Sequence, residues 1–185
     1  DKYPLLAQRD PRRIPWSDYG VDVVLECTGV FRDHRAEGHF QGGAKKVIIS
    51  APAKAADIPT YILGVNDKLY RGEKLISNGS CTTNCVAPIV KTIDEEFGFQ
   101  EAMMTTIHAY TSTQNLVDGS AKDLRRARAA AQNLVPTGTG AAISVVAAYP
   151  AAKGRFAASA VRAPVVNGSY STFVFKAKKA VTVDM

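Results

Sequence analysis

The sequence lacks the features that would place it in several large classes. It carries only three cysteines in 185 residues. An odd, sparse set cannot build the disulfide framework of a secreted domain, so a reducing compartment and a cytoplasmic location are expected. No apolar run reaches the roughly 18 residues of a membrane span, and no signal-peptide pattern opens the chain. There are no internal repeats and no low-complexity tract. Three Cys and three His do not form the two ligand pairs of a structural metal site, and Cys81 and Cys85 stand alone as a close pair; no metal is expected. The net charge of +6 comes from dispersed Lys and Arg. Without a basic stripe, this balance suits handling of anionic small molecules better than nucleic acid or a membrane surface. The chain starts at Asp1, and residues 181–185 follow a strand-like segment with no closing element. Both ends are therefore expected to be cut.

The composition is that of an ordinary soluble protein, 46% hydrophobic and 22% charged, enough to bury a core. The first part reads as α/β. Residues 21–26 (VDVVLE) and 45–50 (KKVIIS) are apolar runs suited to buried parallel strands. Between them, residues 32–40 have helical potential and end at Gly42 and Gly43. Residues 61–65 and 74–76 read as two further short strands. Strands alternating with helical or loop segments predict a parallel sheet.

The pattern changes near Asn78. Val86, Ile89, Val90, Ile93 and Phe97 lie on one face of a helix that Gly98 stops. Pro88 inside it predicts a kink, or a regular helix starting just before the proline. Residues 102–110, 156–165 and 171–181 read as long strands. In the last of these Phe173 and Phe175 oppose Lys176 and Lys178, which predicts a mostly antiparallel sheet. Residues 127–131 are Ala-rich and helix-prone. A domain boundary is expected near residue 80.

Three segments carry chemistry. Residues 77–85 read SNGSCTTNC, with Cys81 between small polar residues, after a strand and before an amphipathic helix. A helix N-terminus stabilises a thiolate. Residues 105–114 read TTIHAYTSTQ. His108 closes a strand and is followed by hydroxyls that suit an anion, whereas His34 and His39 read as ordinary surface or core histidines. A thiol and an imidazole are the minimum for covalent catalysis on a carbonyl. Residues 136–142 read PTGTGAA, a turn able to point backbone N–H groups at phosphate. Arg125, Arg126, Arg128 and Arg162 offer guanidinium donors, of which one or two are expected to touch substrate.

These segments, with RDP at 9–11, ECTGVF at 26–31, KVIISAP at 46–52, KDLRRARAAAQN at 122–133 and VRAP at 161–164, resemble the glyceraldehyde-3-phosphate dehydrogenase family in order and approximate spacing. The resemblance covers essentially the whole chain. It implies the second half of a Rossmann-type dinucleotide-binding domain at 1–80 and a mainly antiparallel-sheet catalytic domain at 81–185, both incomplete. The glycine-rich turn with which the family begins is not among these residues. Cys81 is implied as nucleophile and His108 as its base. Thr111 and Arg162 resemble the pair that holds the substrate phosphate. Ser80, Thr82, Thr139 and Gly140 resemble the surroundings of the inorganic-phosphate site, which Arg126 faces. Arg9, Thr28 and Ser50 match cofactor contacts. Gly79 replaces the usual Ala, Ile143 the usual Lys, and VRAPVVNGS differs from the common strand, which suggests a divergent branch.

What the resemblance implies is oxidation of glyceraldehyde 3-phosphate to 1,3-bisphosphoglycerate with NAD or NADP and inorganic phosphate, through a Cys thioester. The full-length protein is expected to be a homotetramer, working in glycolysis or in the biosynthetic direction. Two alternatives stand beside this: erythrose-4-phosphate dehydrogenase, which ends in hydrolysis, and a truncated inactive copy serving as a binding or structural module.

Overall fold

The computed structural model describes residues 3–185, which group into two compact units. The first runs to Lys91 and includes Ser144–Pro150; the second comprises Thr92–Ile143 and Ala151–Met185.

The first unit is built on a three-stranded parallel sheet, in spatial order β1 (Val23–Glu26), β2 (Lys46–Ile49) and β3 (Leu75–Ser77). Val24 pairs with Val47, and Val47 with Leu75, so alternate apolar residues stack on one face. Together with Ala36, Ala44, Ile49 and Ile58 they form a core, against which Trp16, Phe31 and Phe40 pack. The crossover from β1 to β2 is a 3₁₀ turn, His34–Glu37, running into the short helix α1, Gly38–Gln41. Asp33 starts it by accepting from the Arg35 N–H. Gly42, just after α1, lies so close to the Ile14 carbonyl that a Cβ would sit 2.0 Å from the oxygen. Only glycine fits there.

Residues 61–65 do not form the expected strand. A single parallel bridge joins Thr60 to Ser77, and the chain then turns. The Asn66 side chain causes this: its Oδ1 accepts from the Ile62 N–H at 2.9 Å and its Nδ2 donates to the Thr60 carbonyl at 2.8 Å. Such side-chain bonds compete with a sheet ladder for the backbone, and Gly64 at φ 76° completes the turn.

α2 runs unbroken from Cys81 to Glu96 with Pro88 inside. The helix therefore begins well before the proline, so the late start, one of the two outcomes expected of Pro88, does not hold, because a cap at Ser80 fixes the first turn.

The second unit holds a four-stranded sheet in the order β5 (Val135–Thr137), β6 (Phe156–Ala163), β4 (Phe99–Ala109) and β7 (Ser169–Ala177). β4 pairs antiparallel with β7 and β5 with β6, but the central pair, β4 with β6, is parallel. The sheet is thus mixed, since the chain between β4 and β6 makes a long crossover instead of a hairpin. Phe173 and Phe175 share the half-buried face of β7 while Lys176 is exposed. β5 was not foreseen. The Ala-rich residues 127–131 form turns, not helix. Asp118 accepts from the Ala129 N–H at 2.8 Å and from Arg128 at 2.7 Å, and the Asn115 carbonyl accepts from the Ala130 N–H at 3.0 Å. These contacts override the high helix propensity of alanine, which is only a weak prior against tertiary bonds.

Candidate active site

In the first unit, the candidate residues gather at the carboxyl edge of the parallel sheet. Thr28 follows β1, Ser50 follows β2, and residues 78–81 follow β3. Open α/β sheets bind ligands at that edge. An open groove of about 400 Å³ runs onto it, lined by Leu25, Cys27, Ile48, Ser50, Ile76 and Asn78, among others. Thr28 and Ser50 are both exposed. The Ser50 N–H donates to the Glu26 carbonyl at 3.0 Å, tying the ends of β1 and β2 together. Arg9 lies in the exposed segment before Pro11. Near that segment a second hollow of about 600 Å³ is lined by Asp10, Pro11, Arg12, Phe31 and His34, among others.

The chain from Ser77 to Cys81 is held by a dense set of bonds. Ser77 is fully buried; its Oγ donates to the Ala51 carbonyl at 2.8 Å and accepts from the Gly79 N–H at 3.0 Å. Gly79 adopts φ 67°, and a Cβ there would press on Thr83 at 3.1 Å, so glycine relaxes the turn. Ser80 then caps α2. Its Oγ accepts from the Thr83 N–H at 3.1 Å, the Thr83 Oγ1 accepts from the Ser80 N–H at 3.2 Å, and the two hydroxyls are 2.8 Å apart. This is a reciprocal capping box. The Asn84 Nδ2 reaches back to donate to the carbonyls of Asn78 at 2.8 Å and Ser80 at 2.9 Å.

The result is that Cys81 is the first residue of a 16-residue helix and is exposed. The positive end of the helix dipole favours an anion at that position. Thr82 Oγ1 is 4.0 Å from the Cys81 sulfur. Cys27 and Cys85 are also exposed free thiols, but neither opens a helix. Asn84, Asn78 and Glu26 had not been picked out from sequence. Their signal was an amide or carboxylate beside a strand end, which is too common to read without the fold.

In the second unit, His108 and Arg162 are direct cross-strand partners on β4 and β6. Arg162 Nη1 lies 2.8 Å from His108 Nδ1 and donates to the Ala109 carbonyl at 2.9 Å, while His108 Nδ1 is 2.7 Å from that same oxygen. The carbonyl has two lone pairs and can accept from both. His108 Nδ1 either accepts from Arg162 or, carrying the hydrogen, donates to the Ala109 carbonyl, and only in the second tautomer is Nε2 the unprotonated nitrogen. Just past β4, Thr111 Oγ1 lies 2.9 Å from Thr113 Oγ1 and the Thr111 N–H points to Gln114 Oε1 at 3.4 Å.

A second cluster forms around β5. Arg126 donates through Nε to Thr137 Oγ1 at 2.8 Å and through Nη2 to the Gly138 carbonyl at 3.3 Å. Thr139 Oγ1 accepts from the Ala141 N–H at 3.1 Å and so shapes the turn before α3 (Ala141–Ala148). Gly140 lies exposed between them. The structure thus brings Arg126 to the TGTG turn, and places Arg162 with His108.

A parallel sheet with exposed hydroxyls at its carboxyl edge, followed by an exposed thiol at a helix start, is the arrangement of an α/β nucleotide-binding class of protein with a candidate cysteine site. Comparison with known families sharpens this. The family profile "Glyceraldehyde 3-phosphate dehydrogenase, C-terminal domain" matches residues 80–185, and "Glyceraldehyde 3-phosphate dehydrogenase, NAD binding domain" matches residues 1–34. The chain belongs to the glyceraldehyde-3-phosphate dehydrogenase family. It is 52% identical over 184 residues to the chloroplastic glyceraldehyde-3-phosphate dehydrogenase B of Pisum sativum, covering 97% of this chain and 41% of that protein. It is 53% identical over 182 residues to the glyceraldehyde-3-phosphate dehydrogenase of Mycobacterium avium, covering 97% of this chain and 53% of the relative. A Trichoderma koningii glyceraldehyde-3-phosphate dehydrogenase 1 is 51% identical over 179 residues, with 96% and 53% covered. The chain therefore spans about half or less of the length of these curated relatives.

Proposed function

We propose that the full-length protein containing this chain oxidises glyceraldehyde 3-phosphate to 1,3-bisphosphoglycerate with NAD or NADP and inorganic phosphate. The observation that carries this reading is Cys81 opening α2 at the carboxyl edge of the parallel sheet, on a loop pinned by Ser77, Ser80 and Asn84. In this reading His108 takes the Cys81 thiol proton, the thiolate attacks the aldehyde, the proton is passed to the new oxygen to give a thiohemiacetal hydroxyl, and His108 takes it back as the hydride departs. A bound nicotinamide supplies the hydride acceptor. Phosphate then attacks the thioester carbonyl, the C–S bond breaks to return the Cys81 thiolate, and the acyl phosphate is released. The open carboxyl edge with Thr28 and Ser50 fits a dinucleotide, with Arg9 as a further contact.

Two anions need two pockets. The Arg162 and Thr111 neighbourhood would take the substrate phosphate. Arg126 with Thr139, Gly140, Ser80 and Thr82 would serve the incoming phosphate. Ser80 Oγ already closes the capping box, so its contribution would be chiefly through the helix start it holds. We assign residues 1–80 to the dinucleotide-binding domain and 81–185 to the catalytic domain, and take the full-length protein to be a homotetramer. Its free thiols suit a reducing compartment such as the cytoplasm. Among the described residues no helix is long and apolar enough to cross a membrane.

The test is steady-state turnover of the full-length protein with glyceraldehyde 3-phosphate, NAD or NADP, and phosphate, beside Cys81→Ala. Phosphate-dependent reduction of the dinucleotide that vanishes in C81A is expected. Turnover indifferent to phosphate would point to hydrolysis and overturn the acyl-phosphate product. Limiting iodoacetamide followed by peptide mapping should label Cys81 ahead of Cys27 and Cys85; dominant labelling of Cys27 would sink the nucleophile assignment.

A further inference from the structure

β1 has a carboxylate where its pattern calls for an apolar residue. Glu26 shares the inward face with Val24 and is only 3% exposed, next to a core of Val24, Ala36, Ala44, Val47 and Ile49. An ionised group in such a place is unfavourable unless every oxygen is hydrogen-bonded. Here every oxygen is. Glu26 Oε2 lies 3.0 Å from His39 Nε2, and His39 is itself 4% exposed. Glu26 Oε1 accepts from the Thr28 N–H at 2.8 Å and from the Thr28 hydroxyl. On the far side of the imidazole, Trp16 Nε1 lies 3.1 Å from His39 Nδ1.

The direction of this chain of bonds is fixed by its first member. An indole N–H can only donate, so His39 Nδ1 accepts and the ring carries its hydrogen on Nε2. That hydrogen is given to Glu26, which acts purely as an acceptor. The Thr28 hydroxyl hydrogen is also spent on Glu26, and the Thr28 oxygen accepts from the Val30 N–H at 3.1 Å. Three polar groups of residues 28–30 are thereby tied down, directly or through Thr28, to one buried carboxylate. The main chain of the same residue holds Ser50.

We propose that Trp16, His39 and Glu26 are positioning residues for the dinucleotide, a one-way hydrogen-bond relay that sets the Thr28 turn at the carboxyl edge of the sheet. This rests on the reading of that edge as the cofactor site. Thr28 then serves through the placement of its backbone and methyl group, because its hydroxyl hydrogen is already committed.

The relay makes an unusual demand on variants. Glu26→Gln is nearly isosteric but replaces one acceptor by an N–H₂ donor. If the amide faces His39, the ring must move its hydrogen to Nδ1, where it meets the Trp16 N–H. Adding Trp16→Phe removes that opposing donor and lets His39 accept from Gln at position 26. In the full-length protein, E26Q should weaken dinucleotide binding about tenfold or more, as expected for an unpaired buried donor, while the rate of Cys81 alkylation stays as in wild type. The E26Q/W16F double variant should recover most of the lost affinity. A packing defect alone would be made worse by the second substitution. In the unaltered protein, ¹⁵N shifts of the His39 ring should show a neutral imidazole with hydrogen on Nε2, a measurement that does not depend on any variant folding.

Dinucleotide affinity of E26Q equal to wild type would overturn the proposal, as would a double variant no better than E26Q, or an Nδ1–H or doubly protonated His39. If the wild-type titration itself shows no dinucleotide binding, the cofactor reading fails and takes this proposal with it. The wild-type arm thus separates the two failures.

Discussion

At the scale of single residues, the site divides into groups whose roles differ in what they already hold. Arg162 bonds both the His108 ring and the Ala109 carbonyl, so its removal disturbs the proposed base as well as an anion contact. Arg162→Ala should lower kcat/KM by an amount equivalent to roughly 2–5 kcal/mol, the usual loss when a charge-assisted partner is taken from a semi-buried site. Thr139→Ala should act differently. In single-turnover experiments without phosphate its acylation burst should match wild type, with the deficit confined to the phosphate-dependent step. Equal losses in both steps for both variants would argue against two anion pockets. A pH effect sits elsewhere, at His34, which lies 2.8 Å from Glu37 and 2.9 Å from Asp57. The Glu37 hydrogen bond first, then that of Asp57, raises its pKa above 6.5. A raised folded-state value means that the stabilisation is fully present below about 6.5 and fades as pH climbs through the raised value. Thermal melts from pH 5.5 to 8.5 should show wild type losing its advantage over His34→Gln across that window. A constant difference would show that the pair does not titrate as described.

At the scale of elements, the loop before α2 shows what sequence could and could not convey. The amphipathic helix after Cys81 was legible from its apolar spacing. The reciprocal partner Thr83 and the back-reaching Asn84 were not, since both depend on where the preceding strand ends. Asn84→Ala removes two bonds to main-chain carbonyls and should destabilise the protein by about 1–2 kcal/mol. Iodoacetamide labelling of Cys81 should slow in parallel; unchanged labelling would show that the loop keeps its geometry without the amide. The other end of α2 is fastened by Arg155, which pairs with Asp94 at 2.8 Å, donates to the Ala151 and Phe99 carbonyls, and stacks 4.5 Å from the Phe99 ring centroid. No periodicity announces such a clamp. Arg155→Met removes the ion pair of a largely buried carboxylate that still accepts from the Phe99 N–H, and should lower stability by about 1–3 kcal/mol, read as a shift in urea midpoint. The same physics explains the two misread elements. Residues 61–65 have strand-like composition, and 127–131 have helical composition. In both, side-chain bonds from Asn66 and Asp118 capture the backbone, which no local propensity reports. The central parallel pairing of β4 with β6 was missed because alternation along a strand says which face is buried, not which way its neighbour runs.

At the scale of the whole chain, the parallel sheet and the carboxyl-edge location of Thr28, Ser50 and Cys81 follow from patterns visible in sequence, while the buried Glu26–His39 pair became meaningful only once β1 had an inside. Cofactor affinity in this class of fold depends strongly on a glycine-rich turn and a helix N-terminus that grip the pyrophosphate. The 185 residues contain no G-x-G-x-x-G sequence. They also present an apolar surface: on the first unit Val23 is 49% exposed, Leu25 65% and Leu63 80%. Patches of this kind drive association, and the unpaired edges of short sheets add to it. Expressed by itself, the 185-residue chain should therefore bind an apolar dye such as ANS, sediment as a concentration-dependent mixture, and show no heat of binding with NAD or NADP. Cys81 should nonetheless remain open to alkylation, because the bonds that place it, from Ser77 to Asn84, all lie within the first unit. Micromolar dinucleotide binding by a monodisperse 185-residue chain would show that Thr28, Ser50 and Arg9 suffice to hold the cofactor, and would remove the argument that the glycine turn supplies most of the affinity.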